Sequence, residues 1–412
     1  MPGHSRWQFG LGDELGRVFW GMVFVEGAFG AYMSVWPLWI EALGAPITTV
    51  GLVLGASGFL RLGAIGPSAG LAERFGARRI IVVARSAAGI GMIAAALATH
   101  WTQLLIMVLG AAIGEAAFPL AQSHVVTHAG DQRVRAFTVV FTVGPSVALA
   151  LSPLVSGALV AIWGTRAAFV LAAACTVASI YSFSGIDQGS MSGHANRSTA
   201  TYRSAMAHQP VRRLVSLQFA VIFTLALGTA FIPTFLQDVR GYTPAMITIL
   251  GAGAAVGSAT FGLVVARTVR FQRSPLWGVA VGIISVAVAL SVFIWTGRLS
   301  ILVPAFILRG GFFSAWALFV AALGDITPAT DRARVFAVSE MLGGIAFSSA
   351  PILAGFLYAR RSDAPLIVAI ALAAALVPVV FRTQTWLTTL LAHKERDVDA
   401  AAAVVTPPEP VM

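Results

Sequence analysis

The sequence predicts an all-α polytopic membrane protein with twelve transmembrane helices arranged as two pseudo-symmetric six-helix bundles. Three observations carry that expectation. The 412 residues are 58% hydrophobic and only 11% charged, with a mean hydropathy of +0.84, too apolar for a soluble protein and too long for a single anchor. Apolar runs recur at the length of roughly 20 residues that a helix needs to cross a bilayer. Two stretches of the first half also return, in order, in the second half.

Taken in order, the apolar runs between charged or Pro/Gly-rich breaks fall at 17–40, 47–69, 80–99, 102–125, 137–162, 166–186, 214–237, 244–266, 275–296, 300–323, 335–358 and 364–387. The loops between them give the sidedness. If the N-terminus lies on one side, that side collects 19 of the 27 basic residues, the opposite side collects five, and Arg61, Arg85 and Arg309 fall inside spans. Basic loops stay on the cytoplasmic face, so both termini are expected there, in a multi-pass protein of the inner or plasma membrane. Residues 1–16 hold no apolar core of the signal-peptide kind, and read as a cytoplasmic segment whose following run is retained as a span.

Residues 17–186 and 214–387 are the two expected bundles. Between them, 187–213 is polar and rich in Ser, Gly, His and Arg, and reads as a cytoplasmic linker; 388–412, with its Ala run and Pro407-Pro408, reads as a disordered tail. An internal repeat supports the division. Arg133-Val134-Arg135-Ala136-Phe137-Thr138-Val139 returns as Arg332-Ala333-Arg334-Val335-Phe336-Ala337-Val338 at an offset of 199, and residues 152–159 return as 350–357 at an offset of 198.

Composition also excludes functions. A net charge of +10 would suit a nucleic-acid partner only if the basic residues clustered on one surface, and here they are scattered through loops. The single cysteine, Cys175, permits no disulfide framework and no thiolate cluster, and the seven His are dispersed, so neither a metal nor another cofactor is expected.

The turn between the second and third runs, Gly70-Leu71-Ala72-Glu73-Arg74-Phe75-Gly76-Ala77-Arg78-Arg79, is a compact basic reversal. It resembles the loop between the second and third helices of the major facilitator superfamily of secondary transporters, with matches at Leu71, Ala72, Arg74, Gly76 and Arg78. Ala69 stands where the first Gly of that motif belongs, and Glu73 replaces its Asp. The resemblance implies that Glu73, Arg74, Gly76, Arg78 and Arg79 help latch one state of an alternating-access cycle, with Glu340 joining them in an ion network. An ordinary positive-inside loop is the plainer reading. In the fifth span, Ala148, Ser152, Pro153, Ser156 and Gly157 are similar to an antiporter-associated element of the superfamily, strictly matched only at Pro153 and Gly157. Pro145, Pro153 and Pro351 are accordingly expected to bend their helices; small residues used only for helix packing are the alternative.

Two acids fall deep inside spans. Glu26 and Glu115 lie ~13 to 20 Å from the span ends at 1.5 Å per residue, too far to snorkel, so each must be protonated, paired or in contact with water. They are the candidates for proton coupling, and a structural carboxylate bonded to a neighbouring helix is the other reading. Arg61 and Arg309 are available counter-charges, while Arg85, nearer an end, is expected to snorkel.

The resemblance implies that the first, fourth, seventh and tenth spans line a central cavity. Their polar and aromatic residues Tyr32, Trp36, Gln122, Gln218, Thr224, Arg309 and Trp316 are therefore the expected substrate contacts, and Trp39 is assigned to the interfacial aromatic belt. Drug-proton antiporters of the superfamily carry an Arg where Gly110 stands here. The expected function is secondary active transport of a small organic solute by alternating access, proton-coupled and with efflux antiport as one form, by a monomer in the lipid bilayer. Proton-symport uptake, a non-transporting receptor on the same fold and an intramembrane enzyme remain alternatives; the last lacks a nucleotide-binding loop and paired His spacing.

Overall fold

The computed structural model describes residues 11–130, 133–187, 208–327 and 332–405. Among these the regular structure is helical throughout. Eleven helices are long and apolar enough to cross a membrane, and a bent pair, Gly12–Tyr32 and Trp36–Ala42, supplies a twelfth. The other spans are Ile47–Ser68, Ala77–Leu97, Trp101–His128, Arg135–Trp163, Arg166–Ser184, Gln209–Asp238, Pro244–Val265, Pro275–Trp295, Leu299–Ile326, Arg334–Arg360 and Ala364–Leu390. The first six pack on one another, as do the last six, and the two sets meet along two seams, second span on eleventh and fifth on eighth. The first repeated stretch opens the fifth and eleventh spans, whose helices start at Arg133 and Arg332, and the second lies farther along each.

Of the N-terminal segment expected over 1–16, residues 1–10 lie outside the described residues, and a helix begins at Gly12. Most of the linker, 188–207, and the tail end, 406–412, lie outside them as well. The last helix runs on to Val405, well past the expected end of the twelfth span at 387. Ala400 to Ala403 favour helix, and Pro407-Pro408 cannot continue one.

Four spans are interrupted near mid-depth, and they are the first, fourth, seventh and tenth. The breaks fall between Tyr32 and Trp36, Gly114 and Ala117, Thr229 and Ile232, and Leu308 and Gly311. The cause is local. A proline inside a helix lacks the N–H that would bond the carbonyl four residues back, and its ring collides with that carbonyl. Pro37, Pro119 and Pro233 sit four residues after Met33, Glu115 and Thr229, at or beside three of the breaks; the tenth span breaks at the pair Gly310-Gly311 instead. By contrast Pro153 and Pro351, expected to be bend points, lie inside unbroken helices, and Pro145 opens a helix just after a π-helical stretch, Val139–Val143. Neither Pro153 nor Pro351 ends its helix. Both prolines lie on spans that form the seams between the two halves.

Those seams are built on glycine. A methyl group placed on Gly51 would meet the Pro351 carbonyl at 2.5 Å, one on Gly55 the Ser348 carbonyl at 2.5 Å, and one on Gly157 the Ala245 carbonyl at 3.0 Å. All three glycines lie toward the end away from the arginine-rich loops. Farther along the second span, Gly63, Gly66 and Gly70 have no described neighbour within 4 Å of that position, and neither has Gly262 of the eighth. The halves are therefore closed together at one end and stand apart at the arginine-rich end. Reversals on the two faces use Gly76 at φ 88° and Gly164 at φ 77°, a region costly for residues with a Cβ.

Replacing Gly51 with Val should cost about 1–3 kcal/mol, the usual range for overpacking, because the added atoms meet backbone that cannot rotate away. The checks are a lowered melting temperature and faster labelling, from the end opposite the arginine-rich loops, of a cysteine placed at Ser57. A melting temperature at or above the wild-type value would mean that the seam is loose.

Candidate functional site

The breaks of the first, seventh and tenth spans meet at one cavity between the halves, and the fourth span contributes residues just before its own break. The cavity has a volume of about 190 Å³, and it is lined by Phe29, Tyr32, Met33, Ser34, Trp36 and Pro37 from the first span, Met107, Val108 and Ala111 from the fourth, Thr229, Ala230 and Pro233 from the seventh, and Phe306, Arg309, Phe312 and Phe313 from the tenth. Leu54, Ser57, Phe347 and Pro351, from the second and eleventh spans, lie along the closed seam. The lining is mostly aromatic and aliphatic with a few polar groups, the usual make-up of a site for a small organic ligand. Tyr32, Trp36 and Trp39 are fixed from behind by Phe169, at ring-centroid distances of 5.9, 6.0 and 6.0 Å. Trp39 is buried and donates from Nε1 to the Ala95 carbonyl at 2.9 Å, so it belongs to the helix packing and not to an aromatic belt.

Arg309 stands at the tenth-span break with its guanidinium 5.7 Å from the Phe306 ring centre. No acid partners it among the described residues. An arginine held in an apolar wall without a carboxylate is an expensive arrangement that an anionic group would relieve.

Beside the cavity lies a charged cluster of the first half. Arg61 Nε is 3.4 Å from Glu115 Oε2, with both side chains still partly open to their surroundings. Glu115 occupies the fourth-span break. Glu26 is within electrostatic range of Glu115, Arg85 and Arg61, and Tyr32 is within range of Glu115, Glu26 and Arg85. Tyr32 therefore joins the cluster to the cavity wall. Arg85 is 6% exposed and its Nε has no hydrogen-bond partner among the described residues, so it is buried among these acids instead of snorkelling to an interface. The reason is positional: the Cβ that Gly114 lacks leaves room for the guanidinium, whose NH1 passes 3.4 Å from that point.

Of the expected substrate contacts, Tyr32, Trp36 and Arg309 line the cavity, whereas Gln122, Gln218, Thr224 and Trp316 do not. Gln218 is fully buried and accepts a 2.6 Å hydrogen bond from Ser339 of the eleventh span. Thr224 donates to the Ala220 carbonyl of its own helix. Trp316 donates from Nε1 to Glu340 at 3.1 Å. That last contact also bears on the expected ion network in this conformation. Glu340 is engaged within its own half, and no ion pair joins it to Arg74, Arg78 or Arg79 among the described residues; Arg74 lies 5.1 Å from the Phe75 ring centre. The arginine-rich end is the open one in this conformation, and a latch between the halves there would form only when that end closes. Sequence reading missed Met33, Met107, Phe306, Phe312, Phe313 and Phe347, apolar residues that only the mid-span breaks turn toward one point. It also overlooked that His124 and His128 are four residues apart, a pair spacing that the fold completes with Glu14.

The model of the Major Facilitator Superfamily matches residues 18–319. The chain belongs to this superfamily. Solved structures share the superfamily fold at low identity. A mutant of the nucleoside transporter NupG superposes with a TM-score of 0.78 at 12% identity, covering 89% of this chain and 98% of that one. The bacterial homolog of the human lysosomal transporter Spinster, in an inward-facing and unoccupied conformation, gives 0.66 at 18% identity, with coverages of 95% and 96%. The human organic anion transporter MFSD10 gives 0.61 at 15% identity, with coverages of 89% and 99%. No curated protein matches the sequence. The superfamily membership makes this multi-pass membrane protein a transporter of small molecules and not an enzyme.

Restoring the missing N–H with Pro119→Ala should straighten the fourth span and draw Glu115 away from Arg61. A helix-interior proline costs about 3 kcal/mol, so the variant is expected to melt higher than wild type while losing transport rate. Equal melting and equal rate would show that the break does not depend on the proline.

Proposed function

We propose that this transporter carries a small organic anion with an apolar or aromatic body, by alternating access through the cavity among the four broken spans. The single observation that carries the reading is Arg309, a cation without an acidic partner among the described residues, set in a wall of Phe306, Phe312, Phe313, Tyr32 and Trp36. A cavity of about 190 Å³ lies below the range of roughly 300–1,000 Å³ typical of drug-sized ligands. The substrate is accordingly a small metabolite, or the cavity enlarges as the halves part. That one structural neighbour is an organic anion transporter is in keeping with this reading.

Proton coupling through Glu26 and Glu115 is supported by the Arg61–Glu115 pair and by the position of Tyr32 between the acids and the cavity. Breaking that pair by protonating Glu115 would free Arg61 and change the charge beside the substrate. In this scheme the arginine-rich end is cytoplasmic, both termini lie there, the protein sits in the inner or plasma membrane as a monomer, and the described conformation is inward-facing. Efflux by proton antiport is the direction we favour. The fifth-span element around Pro153 supports it, and uptake by symport is the alternative that a flux assay separates.

Reconstituted vesicles test both parts. Arg309→Ala should reduce uptake or efflux of carboxylate-bearing solutes at least tenfold while leaving the fold intact, and Arg309→Lys should restore part of the loss; equal flux of neutral and anionic solutes in wild type would rule out anion selectivity. With an imposed proton gradient, Glu26→Gln or Glu115→Gln should abolish gradient-driven accumulation yet leave exchange. Unchanged gradient dependence in both variants would remove these acids from the coupling role.

A further inference from the structure

At the arginine-rich end of the first half, a second cluster of ionisable side chains has no part in the scheme above. His124 and His128 lie four residues apart on the fourth span, hence on one helix face, and their rings stack with centroids 4.1 Å apart. His128 donates from Nδ1 to the His124 carbonyl at 2.9 Å, which fixes its ring and leaves Nε2 free. His124 donates from Nε2 to Oε1 of Glu14, in the first turn of the first helix, at 2.9 Å. The same Glu14 oxygen accepts the backbone N–H of Asp187, at the exit of the sixth span, and Asp187 also lies within electrostatic range of His124. One potential ligand atom from each of Glu14, His124 and His128 falls within 4.8 Å of the others.

We infer that Glu14, His124 and His128 form a binding site for a zinc-class divalent cation, with the Asp187 carboxylate placed to complete it. Two imidazoles with one or two carboxylates suit zinc, cobalt or nickel better than magnesium or calcium, which take oxygen donors. Tetrahedral zinc with bonds of about 2.0–2.1 Å holds its donor atoms ~3.3 Å apart. The cluster must therefore contract by roughly 1.5 Å at most, which the exposed His128 can supply by rotating out of its bond to the His124 carbonyl. His124 is 5% exposed, so one ligand is preset by packing while His128 and Asp187, both exposed, give the ion a way in. A bound ion would tie the start of the first helix, the end of the fourth span and the exit of the sixth at a single point. The site owes nothing to the identity of the transported solute.

The test is a cobalt titration of the purified full chain carrying no histidine tag. Wild type is expected to bind one Co²⁺ with the visible absorption of a nitrogen- and oxygen-ligated tetrahedral ion, to exchange it for Zn²⁺ and not for Mg²⁺, and to melt higher with Zn²⁺ present. His128→Ala, at an exposed position, and Glu14→Gln should each weaken binding about tenfold or more, while His100→Ala, near the opposite end, should leave it unchanged. The proposal is overturned if wild type binds Co²⁺ no more tightly than His128→Ala, or if His100→Ala weakens binding as much; the cluster would then be a hydrogen-bonded clasp only.

Discussion

In hydrocarbon an unpaired backbone carbonyl has no water to turn to, so a helix can be interrupted at mid-depth only where protein or a wet cavity covers the break. This chain interrupts four of its twelve spans, the first, fourth, seventh and tenth, and the cavity lies among them. The constraint orders the rest. Breaks at Met33 and Thr229 swing Trp36 and Pro233 inward, the break at Glu115 places an acid beside Arg61, and the Gly310-Gly311 break carries Arg309 to the wall.

The placing of Tyr32 couples two otherwise distinct chemistries. Its ring forms cavity wall on one side and is held by Phe169 on another, while the Glu26, Glu115, Arg61 and Arg85 cluster lies within electrostatic range. A change in the charge of that cluster reaches the cavity through a single aromatic residue. No long chain of contacts is needed.

Span number, the sidedness of the arginines and the paired repeat were legible in the sequence because each depends on local composition or on self-comparison. The site was less so. Pro37, Pro119 and Pro233 look in sequence like Pro145, Pro153 and Pro351, yet the first three lie just after interruptions while Pro153 and Pro351 lie inside unbroken helices. Gln218 and Thr224 have the polarity of cavity residues, yet Gln218 accepts its bond from Ser339 and Thr224 donates to its own helix. Arg309 could be picked out because a charge so deep in a span is too costly to sit idle. Phe306, Phe312 and Phe347 could not, since a phenylalanine in a membrane helix signals nothing until the helix turns. The four-residue spacing of His124 and His128 was readable, but the carboxylate that completes the cluster comes from Glu14, 110 residues away.

The closed end is knit from backbone carbonyls set against Gly51, Gly55 and Gly157, with small and branched apolar side chains filling the gaps. Such contacts have no net charge for dissolved ions to screen, and parting them leaves no bare charge in hydrocarbon. Parting that end thus depends on fit and hardly on ionic strength, so its share of the energetics should hold steady as the salinity of the surrounding medium swings.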